Sequence, residues 1–290
     1  MVAGLMLAQG EAPAFAVLPC SYPPPMTIPA NNAQCDTANP EGHCFDGGYI
    51  TYGQGKVSGT EASISRDNPG VFGSTSAWVM LDLNNAYDLA QVGWIKVSGS
   101  FLTGIPGETG TPLTSAPGYF YQIEYEPGSS GCLPSTALQQ TGECIGQVFL
   151  NALPTTNLTD SDSYAVWSDG GQLEFQINNG TTLSTQFGTI SVSKNCSNDN
   201  VPWVACSYAD TSQWSSEMSE YGDEVPGSVS NPATFSGIAH LCPSGCSAPW
   251  VPDTQLSTSN FGTDDCHGNY NQVGTANSFT ISDSRRTSSK

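Results

Sequence analysis

The chain has 290 residues, and its 26 aspartates and glutamates outnumber 7 lysines and arginines, which gives a formal net charge of −19. This acidity argues against nucleic acid as a partner and against anionic membrane surfaces, because both need a cationic face. No run approaches the roughly 18 apolar residues of a membrane span, so we expect no membrane insertion. The acidity itself fits either a soluble secreted protein or one adapted to acidic surroundings.

Residues 1–45 form the first recognisable segment, a proline- and cysteine-rich arm. Its apolar start and the small residues around Ala14 and Ala16 resemble a cleaved signal peptide, but no cationic region precedes them. The first 16 residues are therefore either the remnant of a signal peptide or an ordinary part of the arm. Prolines 23–25 stiffen the rest of the arm, and its cysteines suit disulfides.

Strand patterns follow the arm, with apolar and polar residues alternating between turn residues. They fall at 48–52, 56–65, 77–83, 89–98, 119–126, 146–150, 164–167, 173–177, 181–193, 213–221, 233–240 and 278–281. No long amphipathic helix is evident. We predict an all-β chain folded as an antiparallel two-sheet β-sandwich, with a sandwich domain over 46–241 and a cysteine-containing extension over 242–290 that packs on it.

The ten cysteines are an even number, which favours disulfides and an oxidising compartment. Close pairs suited to local disulfides are Cys132 with Cys144, Cys196 with Cys206, and Cys242 with Cys246. Glycosylation sequons occur at Asn157, Asn179 and Asn195. We therefore predict a secreted, extracellular, disulfide-stapled glycoprotein.

Metal and cofactor chemistry receives little support from the sequence. Each of the three histidines lies near a cysteine, but the spacing is not that of a zinc site, and disulfides are the expected fate of these cysteines. No G-x-S-x-G elbow and no phosphate-binding glycine loop occurs. We predict no metal and no cofactor.

Two polar residues are candidates for chemistry. Gln91 lies inside a strand pattern, and Glu217 ends the sequence W-S-S-E. A carboxyl can serve first as a base and then as an acid, while a primary amide can hold water and stabilise an oxyanion. The plain alternative is a solvent-facing strand amide and a surface acid, like the neighbouring Glu220, Asp223 and Glu224, which we interpret as a solvated face.

The order of four short motifs resembles the glutamic peptidases, or eqolisins. The motifs are Trp78-Val-Met-Leu-Asp82, Gln91-Val-Gly93, Glu124-Tyr-Glu-Pro127 and Trp214-Ser-Ser-Glu217. The resemblance covers roughly residues 70–240. It implies a concanavalin-A-like jelly roll with its active site on the concave sheet, Glu217 as general acid/base, Gln91 as water-orienting and oxyanion-binding residue, and a polypeptide substrate cleaved at acidic pH.

The chain departs from the family pattern at three positions near these motifs. Ile95 stands where an acid is expected, Met80 replaces a glycine, and Ser215 replaces an isoleucine. These departures bear on catalysis more than on the fold.

Substrate contacts are expected from residues of the same motifs and of the aromatic strand that follows Gln91. They are Trp78, Asp82, Trp94, Tyr119, Tyr121, Glu124, Tyr125 and Trp214. The alternative function is a non-catalytic extracellular sandwich that binds a glycan on the aromatic strand, or a surface or fibre subunit that self-assembles.

Overall fold

A computed structural model describes the chain over 44–52, 57–71, 73–82, 89–98, 116–125, 138–140, 143–152, 160–168, 172–178, 188–191, 209, 211–218, 223–242, 250–254, 256, 268–272, 277–283 and 286. Residues 1–43 of the predicted arm lie outside these residues, as do the sequon residue Asn179 and the cysteines Cys132, Cys196 and Cys206. The disulfides and the glycosylation therefore stay predictions.

Fifteen strands make up the described secondary structure. They are β1 (Cys44–Thr51), β2 (Gly59–Ser65), β3 (Ser74–Asp82), β4 (Leu89–Val97), β5 (Gly118–Tyr125), β6 (Leu138–Gln140), β7 (Glu143–Ala152), β8 (Ser161–Ser168), β9 (Gln172–Asn178), β10 (Gly188–Ser191), β11 (Thr211–Met218), β12 (Ala233–Leu241), β13 (Trp250–Pro252), β14 (Gly268–Gln272) and β15 (Phe279–Asp283). Within the described residues no helix is long and apolar enough to cross a membrane.

The strands form two antiparallel sheets. The first sheet has the order β1-β11-β3-β4-β5-β7-β6, and the second has the order β10-β9-β8-β2-β12-β15-β14, with β13 paired to β12. The predicted all-β, two-sheet sandwich is confirmed. Three strands of the predicted extension, β13 to β15, pair with one another or with β12. The division at residue 241 stays a prediction.

The core lies between the sheets because alternate residues of each strand turn inward. In β2, Ala62 and Ile64 are inward and buried, while their neighbours are partly exposed. Two indoles connect the sheets: Trp94 Nε1 donates to the carbonyl oxygen of Ser65, and Trp214 Nε1 donates to that of Glu61, both at 3.1 Å. Each indole thus buries a large apolar area and still satisfies its polar atom.

Buried ion pairs fasten the ends of the strands. Arg66 makes two hydrogen bonds to the carboxylate of Asp162, at 2.8 and 2.9 Å, and Tyr119 donates to the same carboxylate at 3.0 Å. Arg286 makes a second bidentate pair with Asp67, at 2.5 and 3.0 Å. The attraction and hydrogen bonds within each pair offset the cost of removing its charges from water.

Two acids of the predicted solvated face have a structural role instead. Asp223 is fully buried and accepts hydrogen bonds from the backbone N–H groups of Gly73 and Ser74. Glu224 accepts the N–H of Gly70 at 2.5 Å. The solvated interpretation was wrong for both residues, because these carboxylates hold the segment that leads into β3.

Candidate active site

The outer face of the first sheet carries both candidate catalytic residues. Directly opposite residues of an antiparallel pair project to the same face, and so does every second residue along a strand. Gln91 lies opposite Met80, and Met80 lies opposite Gln213. Glu217 lies opposite Ser76, which lies opposite Ile95. Since Met80 and Ser76 are four residues apart on β3, Gln91 and Glu217 share this face.

Trp78 lies at the centre of this face, between the row of facing residues that contains Gln91 and the row that contains Glu217. It is 1% exposed and packs in a small apolar cluster with Met80, Ile95, Val97 and Phe120. Its indole Nε1 donates a hydrogen bond to Oε2 of Glu217 at 3.2 Å. Trp78 was expected to contact substrate, and the structure places it instead in direct contact with the Glu217 carboxylate.

Glycine is required beside Trp78. Gly93 lies directly opposite Trp78, and a Cβ added at Gly93 would lie 2.0 Å from the carbonyl oxygen of Ala77 and 2.7 Å from Trp78 Cα. Backbone atoms cannot give way as the end of a flexible side chain can. The glycine of the Gln91-Val-Gly93 motif thus permits the close approach of β3 and β4 that fixes Gln91 relative to Trp78.

Gln91 is a nearly buried amide that has no side-chain partner in the part of the chain that the structure describes. It is 6% exposed, and no hydrogen bond of its side chain is present among the described residues. Buried polar groups are normally paired, and an amide carries two donors and one acceptor. An amide in this state can bind water or a ligand.

One strand, β3, lies between the strands of Gln91 and Glu217, and the two residues are offset by four residues along it. In a flat sheet this spacing corresponds to about 16 Å between the Cα atoms, from two strand spacings and four residue rises. Trp78 stands at the midpoint of that diagonal. The two residues share a face without being register neighbours, and a substrate group that reaches both must extend along this diagonal.

Other polar residues lie on the side of the face nearer Gln91. Gln213 Nε2 donates a hydrogen bond to Oδ2 of Asp82, and both residues are 7% exposed. Gln122 lies opposite Gln91 on β5, and Glu124 lies opposite Leu89. Asp82 and Glu124 were predicted from the sequence, whereas Gln213 and Gln122 were not. Counting alternate residues back from Glu217 would have placed Gln213 on this face, and counting back from Glu124 would have placed Gln122 there.

Four of the predicted substrate contacts lie on the other face of the sheet. Trp94, Tyr119 and Trp214 are at most 1% exposed and belong to the core between the sheets. Tyr121 stacks on Phe175 of the second sheet at 4.8 Å, and burial raises the pKa of its hydroxyl. Their expected role as cleft residues needs correction, because alternation turns Phe120, and not its tyrosine neighbours, to the outer face. The side chain of Tyr125 lies outside the described residues.

The departures from the family pattern also lie on this face. Ile95, where an acid was expected, is 9% exposed in the row of Glu217 and packs in the apolar cluster around Trp78. Ser215 is buried opposite Trp78. The surroundings of Glu217 therefore contain an indole donor and an aliphatic side chain where the pattern predicts a second acid.

No group of three or more histidines, cysteines, aspartates or glutamates suited to a metal ion occurs in the part of the chain that the structure describes. Gln91 and Glu217 provide an amide and one carboxylate. That pair can orient water and transfer a proton without a metal.

Comparison with known proteins gives structural likeness alone. No family model matches the chain, and no curated protein matches it. Scytalido-glutamic peptidase bound to a transition-state analogue inhibitor is similar at 11% identity and a TM-score of 0.47, over 83% of this chain and 98% of that chain. SCP-B, a member of the eqolisin family bound to the tripeptide Ala-Ile-His, is similar at 14% identity and a TM-score of 0.43, over 83% and 98% of the two chains.

A family 16 glycoside hydrolase, an endo-glucanase from Bacteroides ovatus, is similar at 14% identity and a TM-score of 0.36, over 58% of each chain. All of these TM-scores are below 0.5 and all of these identities are below 25%. These likenesses therefore do not decide among functions for this chain.

Proposed function

We propose that the protein is an acid endopeptidase that hydrolyses peptide bonds with Glu217 as general acid/base and Gln91 as the amide that orients water and binds the oxyanion. One observation carries this proposal. The Glu217 carboxylate is held by the Trp78 indole on the same face as Gln91, whose nearly buried amide has no internal partner among the described residues.

Peptide hydrolysis needs one group that transfers protons and a second group that positions water and stabilises the oxyanion. A carboxylate takes a proton from water as the water attacks the peptide carbonyl, and the resulting acid gives the proton to the departing amine. The amide oxygen of Gln91 accepts a hydrogen bond from the water, and its NH2 donates to the oxygen that becomes negative. The carboxyl must carry a proton at one stage, which favours work at acidic pH.

The register sets a geometric condition for this mechanism. Glu217 and Gln91 act on one peptide bond only if sheet twist and coiling shorten the diagonal across Trp78. Substitutions of two groups that act in the same step have non-additive effects on rate, so kinetics of single and double variants tests whether Glu217 and Gln91 act together.

The test measures cleavage of a denatured protein at acidic and neutral pH by wild type, Glu217→Gln, Gln91→Ala and the double variant. Each single variant should lose a factor of about 10² to 10³ in kcat/KM, the range for a lost acid/base or oxyanion donor. The double variant should be no slower than the slower single variant. Glu174→Gln, on β9 of the second sheet, serves as the matched control and should retain full activity.

Full activity in either single variant would refute the assignment. Independent, multiplying losses in the double variant would show that the residues act separately. The glycan-binding alternative is less supported, since Tyr119 belongs to the core and Tyr121 packs against the core, not on the outer face. Retention on a polysaccharide column by a wild type that cleaves no peptide would nevertheless replace the peptidase proposal with that alternative.

We also propose that the protein works outside the cell in an oxidising compartment. The even count of ten cysteines and the short spacings between three pairs support this. Titration of thiols in the denatured, unreduced protein purified from its natural source should find none free. Ten free thiols would contradict the proposal.

A further inference from the structure

Two carboxylates flank the strand of Gln91 on the outer face of the first sheet. Asp82 on β3 lies opposite Leu89 on β4, and Leu89 lies opposite Glu124 on β5. We call these three residues the acidic row. Its two acids are separated by two strand spacings, about 10 Å between Cα atoms, with one aliphatic side chain between them.

The central residue of the acidic row supplies an apolar surface. Leu89 is partly buried and packs against the apolar cluster that contains Trp78 and Met80. A partly exposed leucine between two carboxylates matches a side chain with an aliphatic stem and a cationic head. Lysine and arginine are built in this way, and both bury their methylene groups while the head stays polar.

Gln91 independently points to a ligand at this place. It follows Leu89 by two residues on the same face and lies on the strand between the two acids. Its side chain is 6% exposed and makes no hydrogen bond within the described residues. A ligand bound at the acidic row would lie against this amide, and its backbone could pair with the amide.

Charge favours the same kind of ligand. The chain carries a formal net charge of −19. The three cationic residues in the described part of the chain contact groups elsewhere: Arg66 binds Asp162, Arg286 binds Asp67, and Lys96 Nζ donates to Asn68 and the carbonyl of Pro69. An acidic surface attracts cationic ligands and accelerates their association.

We propose that the acidic row is a subsite for a lysine or arginine side chain of the polypeptide substrate, with the ammonium or guanidinium group between Asp82 and Glu124 and the stem on Leu89. This inference rests on the proposed peptidase function, since it places the substrate next to Gln91. It adds a preference of the site for basic sequences.

Binding to the inactive full-length variant Glu217→Gln tests the subsite without cleavage. The probes are fluorescent octapeptides with one lysine at each position in turn, paired with otherwise identical peptides that carry norleucine, which keeps the stem and removes the charge. At one position lysine should bind about tenfold more tightly than norleucine, as a charge-assisted contact predicts, and added salt should weaken that preference.

Substitutions of the two acids then test whether their charges cause the preference for lysine. In the Glu217→Gln background, Glu124→Gln should remove most of the lysine preference and leave norleucine binding unchanged, while Glu174→Gln should change neither. Asp82→Asn provides a second variant with the same expectation. Equal binding of lysine and norleucine peptides at every position, or an equal loss of both in Glu124→Gln, would overturn the proposal.

Cleavage by the active protein separates the two proposals. If wild type cleaves peptides but the binding preference is absent, the subsite proposal fails and the peptidase proposal stands. If the lysine preference depends on Glu124 but wild type cleaves no peptide, the subsite is supported and the peptidase proposal fails.

Discussion

The indole of Trp78 and the carboxylate of Glu217 are joined by a 3.2 Å hydrogen bond between residues 139 positions apart. The bond connects β3 to β11 on the outer face of the first sheet, while the other two described tryptophan indoles of this sheet, at 94 and 214, donate to the second sheet. Trp78 therefore orients a candidate catalytic group, and its two counterparts hold the sandwich together.

Trp78→Phe should lower kcat by about tenfold and leave KM nearly unchanged, because the variant keeps an aromatic ring but loses one hydrogen bond to a charged group. Steady-state kinetics on a peptide substrate measures this. Trp94→Phe is the matched control, since it also removes a buried indole donor, one that contacts the carbonyl of Ser65. It should lower stability without lowering kcat, and equal kinetic losses in both variants would contradict a positioning role for Trp78.

Gly93→Ala should destabilise the fold by about 3 kcal/mol or more, because the new Cβ would meet backbone atoms of β3 and overpacking forces the strands apart. Urea unfolding measures the loss. Gly237→Ala is the comparison: nothing lies within 4 Å of its added Cβ, and its cost is that of a left-handed residue at φ +62°, about 1 to 2 kcal/mol. A smaller loss at Gly93 than at Gly237 would be inconsistent with the close approach of β3 and β4.

Asp162→Asn should cost about 3 to 5 kcal/mol of unfolding free energy, because it leaves the buried Arg66 guanidinium without its main counter-charge. Asp160→Asn removes the other partner of Arg66, but the Asp160 side chain is 46% exposed and 3.4 Å away. That change should cost less than about 1 kcal/mol. Chemical denaturation of both variants separates the two contacts, and similar losses would show that the buried pair is not the main anchor.

Tyr164→Phe should be neutral or stabilising, because the hydroxyl of Tyr164 is fully buried and has no hydrogen-bond partner among the described residues. Tyr119→Phe removes the same atom from a neighbouring ring 6.2 Å away, but this hydroxyl donates to Asp162. It should cost about 1.5 to 3 kcal/mol. Thermal unfolding compares the pair, and the reverse order of stabilities would refute the assignment of hydrogen bonds.

Glu61 should make the fold more stable in acid. Burial raises the pKa of its carboxyl above the ordinary value of 4.5. The folded state therefore holds this proton more tightly than the unfolded state, and the stabilisation is present below pH 4.5 and is lost as pH rises through the raised pKa. The difference in unfolding free energy between wild type and Glu61→Gln should fall over that interval. A difference that rises or stays flat would contradict a raised pKa.

The class of fold could be predicted from the sequence because alternation and turn residues act locally. The faces of individual strands were harder to assign. In β5, Tyr119, Phe120 and Tyr121 are all aromatic, so their order alone does not tell which of them points to the core. Pairing with β4 decides it, and the two tyrosines turn inward.

Only part of the site could be predicted from the sequence, because residue types are visible there but strand pairing is not. Gln91 and Glu217 were singled out by type and spacing, and their common face follows from pairing through β3. The bond from Trp78 to Glu217 and the buried role of Asp223 depend on strands and segments far apart in sequence. A sequence shows such relationships only once the register of those strands is known.

The pairing of Asp67 with Arg286 also restricts how the chain reaches its native state. These residues are 219 positions apart, and the same C-terminal region supplies β15, which β12 needs as a neighbour. During synthesis the ribosome must therefore release residue 286 before the second sheet can be completed. Until then β12 lacks β15 as a neighbour, and this open strand edge exposes the nascent chain to aggregation.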